Sequence, residues 1–408
     1  MKKKLFEHEL FTPYPLSIFM LSVLCIALFF NIGMREHQQF VDLAKSFLHA
    51  KLYFITHVPL YDTVLLAGRQ YLPLGPLPGV LLMPFVALAS LFGFEFYQGY
   101  LQFFLSLGIL FFIYRITNAL GFSKNDTRYV LCAFMLGSMY LAILFLPNYG
   151  YFAHAVTVFF LFLAIDEYYG ARRYWALGSI MALVAATRLT AGLGIIFFMC
   201  DILFISSKKG GEKIRSLTAL LVPFGISILL LGLYNLVRFG NFFDQGYTLQ
   251  TLMIPDLIHS REYGLLGALF LPSNFYHAFL AMPLPLFRDN LAPILQFPFL
   301  RPSPWGMSIF ATSPYLLALF FSRFREKVSW FILLTCCIIA APIFLYYGIG
   351  YWQFGYRYAL DFFPFLFLLF LIEYRRRHDT ITLGMKWVIT LSAIVNLYLF
   401  FSFVLYGG

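Results

Sequence analysis

The sequence predicts an all-α polytopic membrane protein, and three observations carry that expectation. Of 408 residues, 61% are hydrophobic and only 12% charged, against roughly a quarter charged in a soluble domain. Apolar runs of about 17 to 25 residues, the length that crosses a hydrocarbon core, recur from end to end. Lysine and arginine gather in the short connections between those runs and not in one patch. The net charge of +10 therefore reads as orientation in a bilayer, which excludes a nucleic-acid groove and leaves no nucleic-acid partner. Cys25, Cys132, Cys200, Cys336 and Cys337 all fall inside apolar runs, where they act as small hydrophobes and form neither a disulfide framework nor a zinc set.

About eleven crossings are expected, over 14–33, 97–118, 129–147, 152–169, 175–187, 190–206, 217–235, 307–322, 329–347, 358–373 and 382–404. The first follows Lys2, Lys3 and Lys4, is too long for a signal-peptide core and lacks a small-residue cleavage site, so it is read as a retained span. A further run, 76–92, opens with Gly75-Pro76-Leu77-Pro78 and contains Pro84. Charge decides its role. If it lies in the interface, only Arg35, Lys45, Lys51, Arg69, Arg188, Arg238, Arg261, Arg288, Arg301 and Arg357 face outward, and the remainder of the 29 basic residues lie inside. If it crosses, five short basic loops face the wrong way, against the positive-inside rule. It is therefore placed in the interface. Residues 1–408 then form one membrane domain, with a first outer loop at 34–96, a short one at 148–151 and a long one at 236–306.

The first outer loop holds two interfacial helices. Phe40, Leu43, Ala44, Phe47 and Leu48 recur at helical spacing, with Gln38, Gln39, Asp42, Lys45 and His49 on the wet side, a pattern that lays a helix along the membrane surface. The run 76–92 is the second. No internal repeat is visible, whereas many transporters are built from repeated halves.

Function is sought among the outward charges. The runs Trp175 to Thr187 and Thr190 to Ser206 go out to Arg188 and back. Thirteen residues rise only about 20 Å of a core roughly 30 Å thick, so Arg188 should sit below the outer surface. A guanidinium at that depth calls for a buried anion or a water-filled cavity. Arg357 stands in an aromatic run that includes Tyr351, Trp352, Gln353 and Tyr358 and is followed by Asp361. Rings stack on sugar faces and arginine forks onto phosphate oxygens, so this run suits a sugar or phosphate site. An interfacial aromatic belt would explain the rings but not Gln353 with Arg357. Asp361 is read as the structural partner of Arg357 or as a catalytic acid. Of the outward carboxylates, Glu36 follows the first span and opens the surface helix, where an anion is favoured. Asp42 lies on that helix's wet face, and Asp62 sits in a turn-rich loop ahead of Gly68-Arg69-Gln70-Tyr71. His154 opens a span, and no spaced His and Cys set supports a metal, although a divalent ion is not excluded.

These segments resemble the GT-C membrane glycosyltransferases, in the branch of bacterial lipid-A aminoarabinose transferases and dolichyl-phosphate-mannose protein mannosyltransferases. The likeness covers most of the first 200 residues. Members begin with a span, an acidic residue just outside and a surface helix, matched here by Glu36, Phe40 to Ala44 and Leu48. A proline-paired motif follows, matched by Gly75-Pro76-Leu77-Pro78. Leu177-Gly178 through Thr187-Arg188-Leu189-Thr190 is similar to the family's short hairpin, and Asn235 to Tyr247 and Gln353 to Asp361 resemble later segments. The family usually carries aspartate where this chain has Glu36-His37, and often an aspartate in the second outer loop, where Asn148 and His154 stand.

The resemblance implies transfer of one sugar from a polyprenyl-phosphate carrier to a lipid, glycan or protein acceptor in the cell envelope. The reaction would proceed by inversion, on the outer face of a bacterial inner membrane, and without a cofactor. A carboxylate must take the acceptor's proton while arginines stabilise the departing lipid phosphate. The base is expected to be Glu36, then Asp62, then Asp42. The phosphate contacts are expected from Arg188, Arg357 and Arg238, and the sugar and acceptor contacts from Tyr71, His154, Tyr351, Trp352, Gln353 and Tyr358. The rival from another class is a transporter or flippase of a lipid-linked anion, which would use the same arginines and need no base.

Overall fold

The computed structural model describes residues 13–289 and 292–406. The chain is mostly helical with little sheet, as long apolar runs that must satisfy their own backbone hydrogen bonds in lipid favour. Pro15–Gly33, Gln98–Ala119, Tyr149–Tyr169, Gly210–Phe239, Lys327–Phe344 and Leu383–Leu405 are long and apolar enough to cross a bilayer. Among the described residues these are the only ones that reach that length, and the shorter apolar helices Leu77–Leu91, Tyr174–Thr187 and Leu189–Ile205 pack beside them.

Some of the expected continuous spans are broken. In place of 129–147, Lys124–Met135 stops and a short helix resumes at Tyr140–Phe145. In place of 307–322, Ile309–Thr312 gives way to a 3-10 turn, Pro314–Phe321. Broken backbone inside an apolar bundle leaves carbonyls without helical partners, so neighbouring side chains must supply donors. The last helix does so. Asn396 Nδ2 donates to Leu136 O at 3.0 Å and Thr312 O at 2.8 Å, and Ser392 Oγ donates to Thr312 O at 3.1 Å. The run 190–206 is likewise divided, into Leu189–Gly192, Ile195–Cys200 and a wide turn at Asp201–Ile205.

Lipid gives helices no hydrophobic reason to associate, so close backbone approach takes its place. Gly178 lets Tyr174–Thr187 ride directly on Gly210–Phe239; a Cβ there would collide with the Leu220 carbonyl. Gly75 likewise lies against the carbonyls of Ala186 and Thr187. That contact seats the Gly-Pro-Leu-Pro turn on the residues just before Arg188.

The helix expected at the surface is Gln39–Leu48, burying Phe40, Leu43 and Ala44 as its periodicity requires. Gln39, expected on the wet side, is also buried, and Leu48, expected on the apolar face at the helix end, is exposed. Leu77–Leu91 packs on it, with Gly79 leaving room for Leu43. Gly75 precedes that second helix at the Arg188 hairpin. Gln98 follows it, and its Nε2 donates to His37 O at 3.0 Å and Pro147 O at 2.6 Å. Both ends of Leu77–Leu91 therefore join the same end of the bundle.

The two ends differ in chemistry. At one, which we call the basic end, Arg115 pairs with Asp166 at 3.1 Å, Arg172 with Asp201 at 3.1 Å, Arg173 with Glu167 at 2.9 Å, Arg376 with Glu373 at 2.7 Å and Lys386 with Asp126 at 3.7 Å. The other collects Arg188, Arg357, Asp361 and a group of tyrosines. Two antiparallel hairpins also lie outside the helices, Val64–Leu66 with Arg69–Tyr71 and Leu284–Phe287 with Leu295–Arg301.

Candidate functional site

Arg188 terminates the fourteen-residue helix Tyr174–Thr187, and its side chain is only 15% exposed. The anion expected beside it is Asp361, whose side chain is fully buried. Arg188 Nε donates to Asp361 Oδ1 at 2.5 Å, and the Thr190 hydroxyl donates to Oδ2 at 2.5 Å. His154 Nδ1 lies 3.6 Å from the same Oδ1 and makes no hydrogen bond. Asp361 is therefore the partner of Arg188, and its expected pairing with Arg357 does not occur.

Arg357 also stands beside Tyr358. The Arg188 Cζ stands 5.6 Å from the Tyr358 ring centroid and the Arg357 Cζ 5.5 Å from it, within range of cation–π attraction. Arg357 also stands 5.6 Å from the Tyr151 ring. Gly150 makes this possible, since a Cβ there would crowd the guanidinium at 3.3 Å. Among the described residues Arg357 has no ion pair, and its buried Nε has no hydrogen-bond partner. Tyr346 and Tyr247 extend the aromatic wall, with Tyr346 packed 6.5 Å from Tyr358 and 6.1 Å from Tyr247.

Asp62 reaches the same region from the first loop. Its backbone is left-handed, with φ of 56°, a conformation a non-glycine residue holds only when its surroundings impose it. Here they do. Asp62 N donates to Thr251 O at 2.9 Å, and Thr251 N returns a bond to Thr63 O at 2.8 Å. The carboxylate accepts from Gln250 Nε2 at 3.0 Å and from the Tyr149 hydroxyl. Tyr149 and Asp62 both lie within electrostatic reach of Arg357.

The remaining expected residues are placed elsewhere or are already occupied. Glu36 does not open the surface helix, which begins at Gln39. Its carboxylate is 86% exposed and 4.0 Å from His37 Nε2. Asp42 does occupy that helix's first turn and accepts from the Thr56 hydroxyl at 3.0 Å. Burial holds its carboxyl above the usual carboxylate range, against the lowering effects of Thr56 and Lys45. Arg238 donates to Leu72 O at 2.7 Å and Asn235 Oδ1 at 3.1 Å, with its Cζ 3.7 Å from the Tyr234 ring. It fastens the first loop. Tyr71 is buried beside it against Phe239 and Tyr53.

Gln353 is fully buried. Its Nε2 donates to Trp305 O at 2.8 Å and Ile349 O at 3.0 Å, while its Oε1 accepts from Arg357 N at 3.3 Å. It shapes the loop that carries Arg357 and has no donor left for a ligand. Tyr351 packs on Trp305 and Trp352 on Phe403. Sequence reasoning missed Tyr149, Gln250 and Gln98. The turn Pro147-Asn148-Tyr149-Gly150 signalled the first, and nothing local signalled the other two.

Among the described residues no group of His, Cys, Asp and Glu is disposed to hold a metal ion. The chain matches no protein-family model, no curated protein and no solved structure.

Proposed function

We propose that the protein is a membrane glycosyltransferase that moves one sugar from a polyprenyl-phosphate donor to an acceptor at the tyrosine end of the bundle, by inversion. The observation that carries the reading is the unequal pair of arginines about Tyr358. Asp361 neutralises Arg188, whereas Arg357, with no ion pair among the described residues, stands beside the rings of Tyr151 and Tyr358 with the Asp62 carboxylate within electrostatic reach. Such a setting suits a phosphate monoanion joined to a sugar, since unpaired arginine favours the anion and the rings offer faces to the sugar.

In the reaction, an acceptor hydroxyl gives its proton to a carboxylate as its oxygen bonds to the anomeric carbon. The bond from that carbon to the phosphate oxygen breaks, and its electron pair leaves with the lipid phosphate. Asp62 is the favoured base, because the long loop fixes it beside Tyr149 and Arg357, whereas Glu36 points to solvent. Arg357 meets the charge that grows on the departing phosphate, and Arg188 stands beside the same Tyr358 ring. This reading goes with about eleven crossings, the N-terminus inside, and both 34–96 and 236–306 on the outer side of a bacterial inner membrane.

The test is turnover by purified protein supplied with labelled polyprenyl-phosphate sugars and a membrane extract as acceptor. Label leaving the polyprenyl carrier, and lost with Asp62→Asn, supports the reading. Donor binding and transbilayer movement without cleavage would instead establish a lipid-linked anion transporter.

A further inference from the structure

The segment 236–306 was expected to be an outer loop, yet its composition is not that of a loop in water. From Tyr263 to Phe287, and again from Leu291 to Leu300, there is no Asp, Glu, Lys or Arg; only Arg288 and Asp289, followed by Asn290, interrupt. The hairpin Leu284–Phe287 with Leu295–Arg301 exposes Phe287, Ile294, Leu295, Phe297, Phe299 and Leu300. Along the second strand every residue from Leu295 to Leu300 is exposed except Pro298; Leu295, Phe297, Phe299 and Leu300 are apolar and open, and Gln296 is the one polar side chain among them. A strand of that kind in water is an aggregation site.

Its position offers another environment. The Tyr398 hydroxyl donates to Pro298 O, and Ser402 Oγ, one turn further along the same helix, donates to Leu300 O at 2.8 Å. The strand therefore follows the last membrane helix, whose Leu391, Ile394 and Val395 are also exposed on an apolar span. The hairpin continues that lipid-facing surface.

Free strand edges are the physical objection to placing a hairpin in lipid, because an unpaired N–H or C=O there costs several kcal/mol. This hairpin lowers that cost in its own sequence. Pro283, Pro285 and Pro298 carry no N–H to leave unpaired. Two carbonyls of the second strand, at Pro298 and Leu300, are taken by Tyr398 and Ser402.

We propose that the 284–301 hairpin is seated in the bilayer beside the last helix, with lipid acyl chains covering Phe297 and Phe299. The test is the environment of a nitroxide at Phe297→Cys, in a Cys25→Ala, Cys337→Ala background reconstituted into bilayers. Dissolved oxygen should relax the label more strongly than a water-soluble nickel chelate does, as at the lipid-facing control Ile394→Cys and opposite to the loop control Lys209→Cys. A nickel effect equal to or above that of oxygen would overturn the proposal in favour of an aqueous loop. Access to neither reagent would overturn it in favour of a covering second copy. Leu295→Cys, on the same strand, gives the same reading should Phe297→Cys fail to fold.

Discussion

The two ends of the bundle hold arginines in opposite ways. At the basic end, Arg172 reaches Asp201, Arg173 reaches Glu167 and Arg376 reaches Glu373 and Glu326, so each of these three arginines has a carboxylate within 3.1 Å, while Arg377 donates to the Phe321 and Ala318 carbonyls. At the tyrosine end, Arg188 has Asp361, whereas Arg357 rests on the rings of Tyr151 and Tyr358 with no acid of its own. Paired charge in a membrane protein anchors and orients the chain, and the basic end needs no further explanation. An unpaired guanidinium sunk among rings is costly to maintain, and that cost points to a ligand that brings the missing charge.

The sharpest break between the ends is expected at the carboxylate near Arg357. Asp62→Asn should reduce turnover by roughly 10²- to 10⁴-fold, the contribution of a general base. Glu36→Gln should leave turnover near normal, because that side chain faces solvent. Steady-state rates of both variants on a labelled lipid-phosphate sugar decide it. The opposite ranking would restore Glu36 as the base and reduce Asp62 to a loop clamp.

Next in size is the difference between a buried and an exposed ion pair. Arg188→Ala strands Asp361 without its cation in a fully buried setting, which typically costs about 3–5 kcal/mol. Arg173→Ala removes a contact of 2.9 Å, but from a side chain 56% exposed, where such pairs give about 0–1 kcal/mol. Thermal unfolding of the two variants in the same detergent should separate them clearly. The double variant Arg188→Ala, Asp361→Asn should recover part of the loss, because it removes the stranded charge. Failure to recover would mean that Arg188 stabilises the fold through Tyr358 and not through Asp361.

Arg357→Ala should behave in the reverse manner, since no carboxylate is left stranded by it. We expect little change in unfolding and a loss of affinity for a polyprenyl phosphate of about 10- to 100-fold, the equivalent of about 1.5–3 kcal/mol for a hydrogen bond to a charged group. Equilibrium binding of the lipid phosphate measures it without requiring turnover. Unaltered affinity would show that the two ends do not differ in the way their ion pairs suggest.

How far the sequence foretold this site depends on whether the cue was local. Arg188 was legible because thirteen apolar residues fall short of a bilayer, and burial of a guanidinium then required the anion that Asp361 supplies. The helical membrane class and the helices at Gln39–Leu48 and Leu77–Leu91 followed from composition and periodicity. The breaks at Leu136 and Ser313 were not legible, since what makes them tolerable is Asn396 and Ser392 on a helix far away in sequence. Gln353 misled because its side chain could have faced a ligand, and only the carbonyls of Trp305 and Ile349 around it reveal that it is spent on the backbone. Asp62 was one of three acids with no local reason to lead. Contacts from Tyr149 and Gln250, at sequence separations of 87 and 188 residues, single it out.

The smallest expected effect concerns Asp42, the third acid in the first loop, and it tests whether that loop holds one functional carboxylate or two. Burial raises its carboxyl above the ordinary value of 3.8, and this outweighs the Thr56 hydroxyl and the nearby Lys45. A carboxyl raised in the folded state contributes stability that is fully present below its unfolded value and is lost as pH rises through its folded one. At neutral pH Asp42 is therefore ionised at a small cost to the fold. Asp42→Asn keeps the shape and an oxygen able to accept from Thr56 while removing the buried charge. The variant should unfold at a slightly higher temperature than the parent at pH 7, by less than about 1 kcal/mol in stability, and the gain should fade as the pH approaches 4. Turnover at pH 7 should be unchanged, because the acid is held by Thr56 on the surface helix and not by the groups around Arg357. A stability gain accompanied by a hundredfold loss of rate would be the pattern of a catalytic acid kept at the fold's expense, and would move the base from Asp62 to Asp42.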